Sequence, residues 1–313
     1  MTEYLIGTGG WAYFQIPGVH PLAAYSKAFN FVEVNSTFYE MPSLKEVEKW
    51  RKLVPQDFQF TVRANKTITH DYKLQPTEQA IQAFEKMKQI CAILNASILH
   101  FQTPPKFILQ KDSVQNLKHF LSSINLGKLQ LAIEVRGTAP NKLPTELVKT
   151  MQDNDIIHCV DLSKGETPAY ESKILYSRLF GKGQHNIYQP TDQELADIDR
   201  RATSRNFQKI ILSFHFVRMY KDAARLKIYK ETGKFPQVTR HTGLASLQDI
   251  LQEDAQFPTT KDALVQHQGW KLFDLTQDKR IRASEALQKL PEKTYNSISE
   301  VIETLRSVTG ENA

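Results

Sequence analysis

Eight short β-like runs, separated by stretches of helical periodicity, constrain this chain more than any other feature. In order they are Tyr4 to Gly9, Phe31 to Thr37, Phe58 to Ala64, Ser97 to Gln102, Leu129 to Arg136, Ile156 to Asp161, Ile174 to Phe180 and Lys209 to His215. Strands that alternate with helices pair in parallel, because each helical crossover returns the chain to the same end of the sheet. Eight such units in about 230 residues match an α/β fold of the TIM type, a (β/α)8 barrel. A doubly wound open sheet is the alternative, but no Gly-rich dinucleotide fingerprint opens the chain. Ala80, Phe84, Met87, Cys91 and Leu94 follow Pro76 at helical spacing, and Ser43 with Glu46 and Thr191 with Glu194 form capping boxes.

Past a break at Gly233 to Pro236 the strand pattern stops. Helices are expected near Leu244 to Leu251, Thr259 to His267, Ala283 to Leu290 and Ser297 to Val308, the last opened by a Ser297–Glu300 box. The reading is therefore a barrel over residues 1–235 and a small helical module over 236–313, too short to hold much core unless it docks on the barrel or a partner. The 313 residues carry a net charge of +6. It is unevenly spread, +8 before residue 236 and −2 after it. A basic barrel favours an anionic partner, DNA or RNA among the candidates. The N-terminal MTEYLIGTGG has no basic start or apolar h-region, and no apolar run reaches membrane length, so a cytoplasmic protein without a membrane partner is expected. Cys91 and Cys159 read as two buried thiols rather than a disulfide or zinc pair.

Period-two alternation also sorts each strand into two faces. In FVEVNSTFYEMPS, Phe31 to Ser43, Val32 and Val34 share one face, and Glu33, Asn35 and Thr37 the other. A carboxylate and a carboxamide at a strand end are costly to bury without partners, so they mark a site. LQLAIEVR sends Leu131, Ile133 and Val135 towards outer helices and Gln130, Ala132, Glu134 and Arg136 inward. By the same rule Gln59, Thr61, Arg63, His100 and Gln102 face in, and later strands add Asp161, Arg178 and His215. Barrel interiors usually hold branched apolar residues, so these positions imply a hydrogen-bonded network open at the C-terminal strand ends, where barrel active sites are built.

Glu33, Glu134 and Asp161 supply candidate acids. Arg63, Arg136 and Arg178 supply candidate clamps for a phosphate or carboxylate, and His70 and His215 candidates for proton transfer. The competing structural reading is that these charges neutralise one another as buried pairs. Gly7, Gly9 and Gly10 give either an anion cradle or a tight turn under Trp11. Trp11, Tyr13 and Tyr39, with the Pro104-Pro105 pair, read as rim elements able to stack on a base or sugar. HxH, HExxH, CxxC and GxSxG are absent, so neither a preformed zinc cluster nor a nucleophile elbow is indicated. Mg or Mn on scattered Glu, Asp and His ligands stays open, with no ligand assigned and no organic cofactor expected.

IGTGGWAY (Ile6 to Tyr13), FVEVNSTFYEMPS, FTVRANKTITH (Phe60 to His70) and FQTPPKF (Phe101 to Phe107) closely resemble the YecE-like family, domain of unknown function 72. AIEVR (Ala132 to Arg136) and YSRLFG (Tyr176 to Gly181) extend the match in the same order, over roughly residues 4 to 230. The resemblance implies a TIM-type barrel and puts Glu33, Asn35, Ser36, Tyr39, Arg63, His70, Gln102, Glu134 and Arg136 in signature positions, with no defined activity. The family pattern commonly continues the Glu-x-Arg with His and Trp, has His where Phe180 stands, and has paired Asn near His215. Here Gly137, Thr138 and Ala139 follow instead, so proton transfer passes to His70 and His215 or the substrate differs. Residues 256–305, with FPTTKDALVQ and LPEKTYNSISEVIETL, resemble domain of unknown function 2795.

The first functional expectation is a hydrolase acting on a phosphate-containing substrate, nucleic acid foremost, of nuclease or DNA-repair type. Arg63, Arg136 and Arg178 would hold the anion, Glu134 or Glu33 activate water, and His70 protonate the leaving oxygen. A second reading makes Glu33 and Glu134 the paired carboxylates of a glycosidase-like or isomerase-like enzyme on a small carbohydrate. A third is a nucleic-acid or ligand binding protein without catalysis.

Overall fold

All eight expected strands form and lie in one parallel sheet in the computed structural model, which describes residues 2–107 and 112–310. They are β1 (Glu3–Thr8), β2 (Phe31–Val34), β3 (Gln59–Arg63), β4 (Ile98–Gln102), β5 (Gln130–Glu134), β6 (Ile157–Cys159), β7 (Ile174–Leu179) and β8 (Lys209–Phe214). The order is β6-β5-β4-β3-β2-β1-β8-β7, and a parallel bridge between Val160 and Ser177 joins the two ends into a barrel. Val160 N donates to Tyr176 O at 3.2 Å and Arg178 N to Val160 O at 3.1 Å across that seam. Closing the sheet on itself removes the open edges that a flat eight-stranded sheet would present.

The helices α1 (Pro21–Ala28), α2 (Leu44–Lys52), α3 (Glu78–Leu94), α4 (Ser113–Ser123) and α5 (Thr145–Asp153) alternate with the first six strands, whereas a short 3-10 turn at Leu162–Lys164 stands between β6 and β7. In α3 all five residues of the expected stripe are buried, and Thr77, one residue past Pro76, caps it by accepting from Ala80 N at 3.2 Å. Three strands, β2, β5 and β6, end two or more residues earlier than alternation suggested. β2 stops at Val34 because the chain turns into a 3-10 helix at Ser36–Phe38, pinned by Thr37 Oγ1 donating to Val34 O at 3.0 Å. β5 stops at Glu134, so Arg136 lies beyond the strand.

The barrel lumen is layered. Leu5, Phe31, Ile98, Ala132, Ile157 and Ile211 pack an apolar floor, and the polar residues stand above it towards the C-terminal strand ends. Gly7 makes this packing possible, since a Cβ there would lie 2.2 Å from the Phe31 carbonyl oxygen.

Two compact units divide the chain: Met1–Phe180 with Asp199–His215, and Gly181–Ile198 with Phe216–Ala313. The second takes in the segment between β7 and β8 and everything from Phe216, a different cut from residue 235. Helix α6 (Asp192–Ala202) runs across the division, and its Thr191–Glu194 box is formed, Glu194 N donating to Thr191 Oγ1 at 3.2 Å and Thr191 N to Glu194 Oε2 at 2.9 Å. The second unit also holds α7 (Met219–Thr232), α8 (Gly243–Gln252), α9 (Lys261–Gln268), α10 (Ala283–Leu287) and α11 (Ile298–Thr309). Leu247, Ile250, Phe273, Leu287, Val301 and Leu305 give it a core of its own. It is not purely helical. β9 (Thr259–Thr260) pairs with β12 (Thr294–Tyr295), and β10 (Leu272–Asp274) with β11 (Arg280–Arg282), both antiparallel. Strands of two and three residues are too short to show a period, so sequence pattern misses them. Among the described residues no helix is long and apolar enough to cross a membrane.

Candidate functional site

Arg178, on β7, is 1% exposed and ties two strands together across the lumen. Its Nη2 and Nε donate to Glu33 Oε1 at 3.0 and 3.2 Å, its Nε also to Glu33 Oε2 at 3.0 Å, and its Nη1 to Glu134 Oε2. Tyr176, one strand repeat earlier on the same face, donates its hydroxyl to Glu33 Oε2 at 2.5 Å and lies 2.8 Å from Thr61 Oγ1. Burial alone would raise both carboxyls. The charge of Arg178 overrides it, holding Glu33 well below the usual carboxylate range and Glu134 down to about 2.

Two imidazoles complete this base. His215 Nε2 lies 3.4 Å from Glu33 Oε1 and 3.1 Å from Ser213 Oγ, with its ring stacked on Phe180 at 4.6 Å. A Cβ on Gly9 would come within 2.1 Å of that ring, so this glycine makes room for His215. His100 is fully buried with Nε2 3.5 Å from Glu134 Oε2, and among the described residues neither of its ring nitrogens has a hydrogen-bond partner. Burial first, then Arg178, pushes His215 down and takes His100 to about 3, so both rings are neutral at neutral pH.

Gln102 links the base to the mouth. Its Nε2 donates to Glu134 Oε1 at 2.9 Å and its Oε1 accepts from Arg63 Nη2. Arg63 donates from Nη1 to Asn35 Oδ1 at 2.7 Å and lies face-on to Phe38, its guanidinium carbon 3.6 Å from the ring centroid. Its Nε is buried without a partner among the described residues. Thus Arg63 is held by two neutral amide oxygens and an aromatic face rather than by a carboxylate, and burial followed by repulsion from Arg178 lowers its pKa to about 10.

His70 sits half-buried in a π-helical turn, Thr67–Asp71, with Nδ1 2.9 Å from Thr69 Oγ1 and its ring edge-on to Phe38 at 4.9 Å. Burial, then Arg63 and Arg136, lowers its pKa. Asn65 builds this corner by donating to Thr37 O at 2.8 Å and accepting from Thr67 N at 3.1 Å. Ser36 and Tyr39 are exposed on the turn after Asn35, Tyr39 at 68%.

Alternation placed Arg136 inside the barrel, and that expectation fails. The residue is exposed beyond β5, where its backbone N–H donates to Thr103 Oγ1 at 3.1 Å. Its field still reaches His70. Asp161 is buried but serves the seam: its carboxylate accepts from Ser163 N at 3.0 Å and Phe180 N at 3.1 Å, with Lys164 Nζ at 3.6 Å. Burial raises its pKa. Trp11 is half-buried edge-to-face against Trp50, ring centroids 5.2 Å apart. Glu33, Glu134, Arg178 and His215 therefore converge at the base, and Asn35, Arg63, Gln102 and His70 above it. Tyr176, Phe38 and His100 belong to the site as well. Tyr176 was legible, lying two residues before Arg178 on the same strand face, and His100 two before Gln102.

His100, Glu134 and Cys159 face inward from three adjacent strands, each offering a ligand atom within 4.8 Å of the other two. Nitrogen, oxygen and sulfur make this a mixed set, unlike the all-oxygen shells that Mg and Mn favour.

The profile described as "Protein of unknown function DUF72" matches residues 5–230, from β1 into α7. The chain belongs to the DUF72 family. The UPF0759 protein YunF of Bacillus subtilis (strain 168) is 32% identical over 188 residues, covering 54% of this chain and 64% of YunF. The UPF0759 protein YecE of Escherichia coli (strain K12) is 30% identical over 120 residues, 38% of this chain and 42% of YecE. The matched stretch thus spans less than two thirds of either relative. A DUF72 family crystal structure from Enterococcus faecalis V583 superposes with a TM-score of 0.58 at 19% identity, covering 74% of this chain and 98% of that one. One from Thermotoga maritima MSB8 gives 0.58 at 19% identity, covering 73% and 99%. At such identity the likeness speaks for the DUF72 fold alone.

Proposed function

We propose that this DUF72 protein is a hydrolase of a phosphate-containing substrate, with nucleic acid the first candidate, bound over the C-terminal mouth of the barrel. One observation carries the reading: Arg63 is buried against neutral amide oxygens with its Nε unpartnered among the described residues, on the side where Arg136 and His70 gather. Below it, Glu33, Glu134, Arg178 and two neutral histidines carry one net negative charge, so a cationic mouth stands over an anionic base. A cation covered only by neutral dipoles keeps its field, and the fork of a guanidinium suits phosphate oxygens.

Chemical roles follow from access. Glu33 is sealed by Tyr176 and Arg178. Glu134 has 17% of its side chain exposed, so it is the carboxylate that meets a water. His70 is neutral in the free protein, and an anion beside it restores the proton that Arg63 and Arg136 repel, arming it to protonate a leaving oxygen. The exposed ring of Tyr39 offers a face to a base. The paired-carboxylate reading loses support, since it needs one carboxyl held protonated and Arg178 drives both Glu33 and Glu134 the other way.

The test is incubation with labelled single-stranded and double-stranded DNA and RNA in Mg, Mn, Zn or EDTA, scoring binding and product together. Product that disappears in Glu134→Gln while binding persists is the expected result. Unchanged turnover in Glu134→Gln, or no binding of any oligonucleotide, overturns the proposal. Salt-sensitive binding with no product would identify a binding protein instead.

A further inference from the structure

We infer that His100, Glu134 and Cys159 form a site for a zinc-class divalent ion at the base of the barrel, with the three side chains as ligands and a fourth position open towards the mouth. Their ligand atoms lie within 4.8 Å of one another. A single ion bonded to nitrogen, oxygen and sulfur at about 2.0–2.3 Å requires ligand atoms roughly 3–4 Å apart, so small side-chain adjustments close the set. Glu134 and Cys159 are paired residues on β5 and β6, and His100 on β4 pairs with Ala132, two residues before Glu134 on the same strand face, from where its Nε2 reaches to 3.5 Å from Glu134 Oε2.

An independent observation comes from His100. It is 0% exposed, and among the described residues neither ring nitrogen is hydrogen-bonded. The polar groups around it are engaged elsewhere: Tyr176 by Glu33 and Thr61, Gln102 by Glu134 and Arg63, and Glu134 by Arg178. Among the described residues the nearest approach to this imidazole is Glu134 Oε2, 3.5 Å from Nε2 and already bonded to Arg178, so the buried ring has given up its hydration without a hydrogen bond in return, and a metal bond would supply the missing partner. The Arg178–Glu134 bond fits the same picture, because ligating carboxylates are themselves held by outer hydrogen bonds. Three protein ligands with one open position is the arrangement of zinc sites that act on substrate, while the N, O and S donors select against Mg and Mn.

On loading, Cys159 gives its proton to solvent and its sulfur bonds the ion as thiolate, so an anion at the open position would balance the charge gained. Cys159 thereby acquires a role beyond the buried thiol that its strand position suggested. The inference shares Glu134 with the hydrolytic reading but fails or holds separately from it, because it is measured by metal and not by turnover.

The experiment is titration of the chelator-stripped full chain with cobalt(II) chloride, followed by zinc chloride. One cobalt per chain, with a thiolate-to-cobalt band in the near ultraviolet that zinc abolishes, is expected. Cys159→Ser, nearly isosteric, should lose the band and weaken binding by more than the roughly 10–100-fold that removal of an outer partner brings. Cys91→Ser, altering the other buried thiol on α3, should keep it. Failure of the wild-type chain to retain stoichiometric cobalt or zinc overturns the inference without any variant. A band that survives in Cys159→Ser overturns it too.

Discussion

Arg178 and Arg63 are both buried, at 1% and 6% exposure, yet their surroundings differ in kind. All three nitrogens of Arg178 donate to carboxylates, and its two partners come from β2 and β5. Arg63, on β3, has carboxamide oxygens, a phenyl face and an Nε without a partner among the described residues. A guanidinium saturated by carboxylates is a fixture of the fold, since removing it strands two buried negative charges. A guanidinium held by neutral dipoles exports its field, and what it lacks is an anion. On the proposed function, the Arg178 cluster holds the fold together and Arg63 serves recognition.

Arg178→Met should break the comparison most visibly. With Glu33 and Glu134 left unpaired, unfolding in urea should show a drop in stability of about 3–5 kcal/mol. Adding Glu33→Gln should recover part of it, since a neutral amide tolerates the missing partner. A drop within about 1 kcal/mol of wild type would erase the distinction between the two arginines.

Arg63→Met sharpens it from the other side. The thioether still packs on Phe38, so stability should change by about 1 kcal/mol or less. Oligonucleotide binding should nevertheless fall about tenfold, near 1.4 kcal/mol, and the salt slope should drop by roughly 0.7 to 0.9 because one phosphate fewer is neutralised. Equal drops in stability in the two arginine variants, with binding intact in both, would make the mouth as structural as the base.

The smallest effect is the pH dependence of His70. Groups facing it are Arg63 from β3, Arg136 beyond β5, the adjacent Asp71, and the neutral Thr69 and Phe38. Its folded pKa lies below 6.5 through burial and then the two arginines. The folded chain therefore holds fewer protons than the unfolded one in that window, so His70 leaves stability unchanged above 6.5 and lowers it as pH falls through the folded value. A bound anion reverses the shift, the complex takes up a proton, and affinity should rise as pH falls from about 7 to about 5. His70→Asn should flatten that profile in a titration of oligonucleotide binding. A profile that stays steep in the variant would assign the proton to another group.

Much of the site was legible in the linear pattern. Alternation along FVEVNSTFY, FQFTVRA and SILHFQT set Glu33, Arg63 and Gln102 on lumen faces, and they are there. It failed where the strand ended sooner than its pattern, as at Arg136, because alternation persists only while the backbone stays extended. Asp161 shows another limit. An inward acid at a strand end can face the pocket or bind backbone amides, and Phe180 N, 19 residues away, decides for the amides.

The sequence by itself determined the strands, their parallel pairing, the side on which most residues fall and the presence of a polar layer over an apolar floor. These follow from local backbone geometry and from the length of the crossovers, which a linear pattern carries in full. Only the tertiary structure decided which charges meet. Glu33 and Arg178 are 145 residues apart, and their pairing depends on the register of the parallel strands and on the Val160–Ser177 seam that closes the barrel. Coulomb and hydrogen-bond energies act over a few ångströms in space, so they leave no period along the chain.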